Sequence, residues 1–251
     1  VEKYGFLEMD APILEPTDLY LIKGNQEIID EQTYTFKDRG ERSVTIRAEM
    51  TPSVSRMVAG RRQELAYPLR WYSIPNLWRY ERMQRGRLRE FWQLNIEMFG
   101  VSNEMAEIEM IMIVDDLFQV FKAKRSSYTI KINSRLLVNE MLAGLELSSE
   151  STTNVIRLID RKNKMTLEEF DKSLNDITKN SDKNAQITKL LVTKELGDLP
   201  EELQNLESVK TINKILKTMK SKGVQNVVFD ITLMRGFDYY TDIVFEAFDN
   251  D

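Results

Sequence analysis

The chain of 251 residues contains no cysteine and no histidine. Without thiols it has no disulfide, no thiolate metal site and no cysteine nucleophile, and a reducing, cytoplasmic setting is the natural expectation. Without imidazole it has no histidine general base, and with both residue types gone no metal site is expected of the protein itself. Long apolar runs are also missing. No stretch approaches the roughly 18 to 20 residues needed to span a bilayer, and the first residues do not read as a signal peptide, so no membrane association is expected. Nor is positive charge in excess: 35 Lys plus Arg stand against 40 Asp plus Glu, a formal net charge of −5. Contact with a nucleic acid then calls for a local basic surface rather than a global field.

What is present is ordinary globular material, with 42% hydrophobic and 30% charged side chains, enough for at least one sizeable core. Residues 4–15 read as a short strand or extended entry. Residues 32–36 (QTYTF) and 43–46 (SVTI) read as strands joined by the turn KDRGER. Thr51 is placed as an N-cap with Pro52 at the first helical position. Residues 69–80 are aromatic-rich and broken by Pro75, QRGR at 84–87 supplies a turn, and 89–99 resumes as a strand, making an antiparallel pair. A long amphipathic helix is expected over 104–121, a strand over 128–132 and a helix over 136–145. From 147 to about 223 the texture becomes Lys-, Glu- and Asn-rich with apolar residues at helical spacing. Thr166 before Glu169 reads as a helix start with a capping box, and Ser208 before Lys210 as a second helix start. Strands return at 227–229 and 243–248. The fold class expected is α+β: an antiparallel sheet flanked by helices, with a first core part at 1–146, a helical insertion at 147–225 and return strands at 226–251.

The stretch 79–97, RYERMQRGRLREFWQLNIE, concentrates chemistry. Arg79 and Glu81 are two apart and can share one face of a strand; Gln93, Asn95 and Glu97 can share a face of the next. Arg85, Arg87 and Arg89 surround the turn. Fixed guanidinium forks beside an amide and a carboxylate suit a phosphorylated ligand bound next to an amino-bearing one. A salt-bridged hairpin on a solvated face fits the same spacing, and by spacing alone is the commoner arrangement. Arg47, Glu49 and Thr51 repeat the period of two, where Glu49 is either a surface carboxylate or a holder of an amino group. In LMRGFDYYTDIVFE, Arg235 can neutralise charge at a carboxylate and a phosphorus centre. Tyr239 and Tyr240 fit core packing and ligand contact equally, and as neighbours on a strand they point to opposite faces.

In combination these blocks resemble a known family. RYERMQRGRLREFWQLNIEMFG resembles motif 2 of class II aminoacyl-tRNA synthetases in the form used by histidyl-tRNA synthetases, and LMRGFDYYTDIVFE resembles a second histidyl signature. IRAEMTPSVSRMVA is similar to the family's amino-acid-binding loop, YGFLEMDAPILEP to the end of motif 1, and LRWYSIPNLWRYE to its archaeal and related branch. Ala48 and Met83 stand where the family usually has proline, and Trp92 where many bacterial members have histidine.

The resemblance implies a histidine-tRNA ligase that joins histidine to ATP as histidyl-adenylate and passes it to tRNA(His), with Mg2+ accompanying the nucleotide. It implies that Arg79 binds the α-phosphate and the amino-acid carboxylate, Glu81 the adenine amino group, and Arg87 the outer phosphates, with Phe91 stacking on adenine. It implies that Glu49 and Thr51 hold the α-amino group with Gln93 nearby as a further substrate contact, and that Glu97, Tyr239 and Tyr240 read the imidazole. Arg235 is implied close to the carboxylate and α-phosphate. The insertion is implied to meet the tRNA acceptor stem, and a homodimer is implied at full length. Because the chain opens at Val1 and stops at Asp251, both ends are expected to be trimmed, with motif 3 and the anticodon-binding domain after Asp251. The alternative reading is a non-catalytic relative, the regulatory subunit of the ATP phosphoribosyltransferase of histidine biosynthesis; a catalytically dead fragment is a third.

Overall fold

The computed structural model describes residues 1–21, 32–81, 84–234 and 240–250, the side chain of Asn163 excepted. They form two compact units, Val1–Ser102 and Asn103–Asp251.

In the first unit the elements run β1 (Leu7–Glu8), β2 (Leu14–Pro16), α1 (Asp18–Leu21), β3 (Tyr34–Lys37), β4 (Ser43–Ile46), α2 (Thr51–Gly60), β5 (Leu69–Ser73), β6 (Asn76–Trp78), β7 (Glu90–Trp92) and β8 (Asn95–Phe99). They pair as β1-β5-β8, β2-β4-β3 and β6-β7. Among the described residues of this unit, only the short β1 runs parallel to its neighbour. The β3–β4 hairpin closes as its turn sequence predicts: an Asp38 carboxylate oxygen accepts from the amides of Gly40 at 2.8 Å and Arg42 at 3.0 Å.

The aromatic stretch and its return are four short strands rather than two long ones. Pro75 has no amide to donate to a ladder, and the chain switches partner there: β5 pairs with β8, and β6 with β7. On the return, Gln93 and Leu94 separate β7 from β8, and the Gln93 amide donates to the Pro75 carbonyl at 3.1 Å. Arg79 and Glu81 therefore lie beyond the end of β6, and Gln93 lies between strands. The shared face expected of Gln93, Asn95 and Glu97 belongs to Asn95 and Glu97 alone.

Helix α2 buries Pro52, Ser53, Val54 and Val58, and its apolar side packs with Met50, Leu69, Trp71 and Leu77. Each large aliphatic side chain of this cluster, fully buried, contributes on the order of 1.5–3 kcal/mol. The helix starts one residue earlier than its composition predicts. Met50 takes the N-cap position, no side chain caps the first turn, and Thr51 is already helical. Its hydroxyl is committed elsewhere, as described below.

The second unit contains α3 (Met105–Val120), β9 (Tyr128–Ser134), α4 (Arg135–Ala143), α5 (Ser149–Arg161), α6 (Leu167–Thr178), α7 (Ser181–Leu191), α8 (Glu201–Gln204), α9 (Glu207–Ser221), β10 (Val227–Phe229) and β11 (Ile243–Asp249). Strand β9 is central, with β10 parallel on one side and β11 antiparallel on the other. Ile130 and Ile132 of β9 share one apolar core with Ile108 of α3, Leu137 of α4, Ile159 of α5, Phe170 of α6 and Ile212 of α9. The helix starts follow local chemistry. Ser134 caps α4 through the Leu137 amide, and Thr166 and Glu169 form the reciprocal capping box expected of them. Ser208 departs from expectation: α9 begins at Glu207 behind Leu206, and the buried Ser208 hydroxyl donates to Glu140 at 2.6 Å instead of capping. Asp115 is buried on α3, where Arg125 grips it from 2.6 Å and the Tyr128 hydroxyl from 2.5 Å. A buried carboxylate is tolerated when paired and hydrogen-bonded in this way.

The class is mixed α/β, with short antiparallel and mixed sheets flanked by helices. Among the described residues no helix is long and apolar enough to cross a membrane.

Candidate active site

Two groups of side chains in the first unit are held ready for ligands. The first is built around Arg79, just past β6, where its amide donates to the Arg89 carbonyl at 2.9 Å. The Arg79 Nε donates to the Ala48 carbonyl at 2.9 Å, and the guanidinium carbon lies 5.3 Å from the centre of the Phe91 ring. One hydrogen bond and one ring thus orient the fork. Glu81 takes Arg87 Nη1 at 3.0 Å, with Arg79 Nη1 at 4.0 Å on its other oxygen. Arg87 reaches Glu81 because residues 84–87 turn tightly: the Arg87 amide donates to Gln84 at 3.0 Å, and Gly86 supplies the φ of 78° at the third turn position. Arg79, Glu81, Gly86, Arg87, Leu88 and Phe91 line a pocket of about 320 Å³. A ring beside two guanidinium groups suits a flat, anionic ligand such as a nucleotide.

The second group is centred on Glu97 of β8, opposite Trp71 of β5. Its Oε1 accepts from the Thr51 hydroxyl at 2.5 Å and from the Asn95 side-chain amide at 3.0 Å. Helix α2 makes this possible: its apolar side lies on Leu69 and Trp71, which sets its first residue beside Glu97. An ionised carboxylate accepts and cannot donate, so this site selects a ligand that offers an N–H or O–H.

The two groups meet through residues 47–51. Arg47 carries no ligand role in this arrangement. It is buried, donates to the Ala11 carbonyl at 2.7 Å, to Asp10 at 2.9 Å and to the Asn76 carbonyl at 3.0 Å, and so ties β4 to β6. Ala48 gives its carbonyl to Arg79 and Thr51 its hydroxyl to Glu97. Glu49, between them, is half-buried; its charge and, more strongly, burial and the charge of Glu15 push the Tyr20 phenol up to about 12. Gln93 is half-buried between β7 and β8.

Of the remaining residues singled out by sequence, Arg235 and Tyr239 lie outside the described residues, as does Met83, and Tyr240 is exposed. Magnesium finds no ready cage: among the described residues no three acidic, histidine or cysteine side chains converge, and the pocket carboxylate Glu81 is already engaged by Arg87.

The sequence pattern of the family described as histidyl-tRNA synthetase matches residues 1–251, the whole chain. The chain belongs to the histidyl-tRNA synthetase family. It is 40% identical to a histidine-tRNA ligase of Leptospira biflexa and 36% identical to one of Thermoplasma volcanium, in each case over 99% of this chain and 58% of the relative. A plant relative, the chloroplastic/mitochondrial histidine-tRNA ligase of Arabidopsis thaliana, is 35% identical over 98% of the chain. The chain thus spans 58% of the length of the first two relatives. Among solved structures, an ATP phosphoribosyltransferase regulatory subunit/histidyl-tRNA synthetase from Bacillus halodurans superposes with a TM-score of 0.83 at 25% identity, covering 99% of this chain and 65% of that one. A histidyl-tRNA synthetase from Nostoc shares the fold, with a TM-score of 0.81 at 21% identity over 98% of this chain and 58% of that one. Relatives from bacteria, archaea and a plant all match across nearly the full chain, so the matches do not single out an archaeal branch.

Sequence reasoning missed two parts of the site: the Ala48 carbonyl that orients Arg79, and the donation from Asn95 to Glu97. The first carries no side-chain signal. The second was present in the spacing of Asn95 and Glu97, two apart on one strand.

Proposed function

We propose that this chain is the catalytic region of a histidine-tRNA ligase. The observation that carries the reading is the linkage, through residues 48–51, of an arginine-lined pocket beside a phenyl ring to an anchored, acceptor-only carboxylate. Histidine would place its ring N–H on Glu97 and its ammonium against Glu49, Thr51 and Gln93. ATP would lay its adenine on Phe91 with its amino group toward Glu81, its α-phosphate on Arg79 and its outer phosphates, with their magnesium, toward Arg87.

The histidine carboxylate is already a nucleophile at neutral pH. One of its oxygens bonds to the α-phosphorus, the bond from that phosphorus to the bridging oxygen breaks, and pyrophosphate leaves with the electron pair. Two anions must approach for this, and Arg79 supplies the positive charge that lowers the cost. Arg235 has the same proposed task, and Tyr239 and Tyr240 a proposed contact with the imidazole, on the family resemblance. In the second step a terminal ribose hydroxyl of tRNA(His) bonds to the activated carbonyl carbon, the bond from that carbon to the phosphate oxygen breaks, and AMP and the hydroxyl's proton depart. No side-chain base is needed for the first step, which accords with a protein without histidine.

Residues 147–225 are proposed as the insertion that meets the acceptor stem, the longer protein as a cytoplasmic homodimer, and LRWYSIPNLWRYE as a trace of an archaeal-like ancestry. A second reading, a regulatory subunit of ATP phosphoribosyltransferase, draws on the double name of the Bacillus halodurans structure. Histidine-dependent exchange of labelled pyrophosphate into ATP decides between them. Exchange with histidine and no other amino acid supports the ligase; histidine binding without exchange, by this chain and by any longer protein that contains it, favours the regulatory subunit.

A further inference from the structure

We propose that Asn95 is a positioning residue that sets the orientation of the Glu97 carboxylate, and through it the preference for a substrate ring that donates an N–H. The proposal rests on the histidine-binding reading above and deepens it.

Asn95 and Glu97 stand two apart on β8 and so project from the same face, opposite Ser73 and Trp71 of β5. The Asn95 Nδ2 donates to Glu97 Oε1 at 3.0 Å, and the Thr51 hydroxyl donates to that same oxygen at 2.5 Å. Among the described residues no hydrogen bond is made to Oε2. The two donors come from different elements, one from the strand and one from the first turn of α2.

That division matters for the shape of the carboxylate. A single donor on Oε1 fixes a point and leaves the group free to rotate about it, carrying Oε2 along an arc. Two donors arriving from separate directions fix the plane as well, so Oε2 is held at one place with its lone pairs directed away from both. A glutamate side chain has several rotatable bonds, and fixing it in the free protein removes that ordering cost from ligand binding. The consequence is selectivity. A site built to accept a hydrogen bond rejects a ligand that lacks the donor far more strongly than it rejects one differing by a methylene. Asparagine suits the task because its amide nitrogen donates at every working pH, and an aspartate in its place would set a second negative charge beside Glu97.

The test is calorimetric titration of this chain with histidine and with histidine methylated on one or the other ring nitrogen, for the wild type, Asn95→Ala and Asn95→Asp. ATP and a thermal melt serve as controls. In the wild type one methylated isomer binds much more weakly than histidine. Asn95→Ala weakens histidine about tenfold, the loss of one hydrogen bond to a charged group. It leaves that methylated isomer nearly unchanged, so the ratio between them narrows by the same factor, while ATP affinity and melting temperature stay put. Asn95→Asp weakens histidine further than Asn95→Ala. A merely structural role would weaken every ligand together and lower the melting temperature. An unaltered ratio of histidine to methylated histidine in Asn95→Ala overturns the role of Asn95 alone. A folded wild-type chain that binds no histidine overturns the histidine-binding reading and this proposal with it.

Discussion

Replacing Arg47 tests whether the segment that joins the two halves of the site is held by the side chain that the structure assigns to it. Arg47 is 3% exposed, and its fork serves the Ala11 carbonyl at 2.7 Å, the Asn76 carbonyl at 3.0 Å, the Asn76 side-chain oxygen at 3.2 Å and Asp10 at 2.9 Å. The Asp10 side chain is 76% exposed, so that ion pair contributes little once solvent screening is counted. The two backbone carbonyls matter more. Arg47→Met keeps the aliphatic stem and strands both acceptors, each costing about 1–3 kcal/mol when left without a donor. A net loss of about 3–5 kcal/mol is expected, a large fraction of the roughly 5–15 kcal/mol that holds a domain together. Arg47→Lys restores a charge and one direction of donation without the fork, and should recover about half of the loss. Urea denaturation reads the difference as a shift in midpoint at unchanged slope. A loss below about 1 kcal/mol for Arg47→Met would refute the reasoning, because a stranded buried acceptor such as the Ala11 carbonyl cannot cost so little. Unaltered stability with loss of nucleotide binding would move Arg47 from the scaffold to the ligand.

Three further outcomes are expected. Phe91→Ala removes the ring beside Arg79 and should weaken ATP by about tenfold or more, within the roughly 1–3 kcal/mol of a base-ring stack, while histidine affinity changes little; equal losses for both ligands would contradict a nucleotide-side position. Gly100 has a φ of 82°, and a Cβ there would meet the Tyr67 ring at 2.8 Å, so Gly100→Ala should lower stability by about 1–3 kcal/mol in a denaturant titration. Glu107 has its pKa raised, first by burial and further by the charges of Asp242 and Glu104, and its Oε2 finds no hydrogen-bond partner among the described residues. A carboxyl whose folded pKa exceeds its unfolded value favours the fold below the unfolded pKa, and that contribution is lost as pH rises through the folded one. Glu107→Gln should therefore raise the melting temperature at pH 7 and leave it nearly unchanged at pH 4; the reverse ordering would contradict the assignment.

Local signals in the sequence carried much of the fold. The KDRGER turn, the Thr166 capping box and the strands around β9 follow from residue types whose preferences act over a few positions, so neighbours suffice to read them. The departures arise where distant partners compete for the same group. Thr51 has the chemistry of an N-cap, and Glu97, 46 positions away, takes its hydroxyl instead. Ser208 has the same chemistry and gives its hydroxyl to Glu140, 68 positions earlier. Pro75 was visible as an interruption, but the resulting change of partner, with β5 on β8 and β6 on β7, depends on which strands are close in space. The candidate site shows the same division. Arg79, Glu81, Arg87 and Phe91 come together as one pocket within a span short enough for a hairpin to bring them there. The partner of Arg79 is a backbone carbonyl, and no residue identity announces it.

That carbonyl also explains why the two ligand subsites should respond to one another. Four residues, 48–51, run from the oxygen that orients Arg79 to the hydroxyl that orients Glu97, and the Arg47 fork anchors the start of that run. The Arg47 carbonyl accepts from the Trp78 amide at 3.0 Å, one residue before Arg79 itself. Segment and strand are therefore laced together on both sides of the arginine, and a shift in either moves the fork relative to Glu97. In the proposed reaction the carboxylate of one ligand meets the phosphorus of the other, and such a transition state tolerates little error, since misplacement by about 1 Å can cost a hundredfold in rate. Thr51→Val, which keeps shape and removes the hydroxyl, should then do more than weaken histidine. In the pyrophosphate-exchange assay it should lower the maximal rate at saturating histidine as well as raise the histidine KM, with the ATP KM unchanged. A raised histidine KM at full maximal rate would mean that the hydroxyl serves binding only, and that Glu97 keeps its place relative to Arg79 without it.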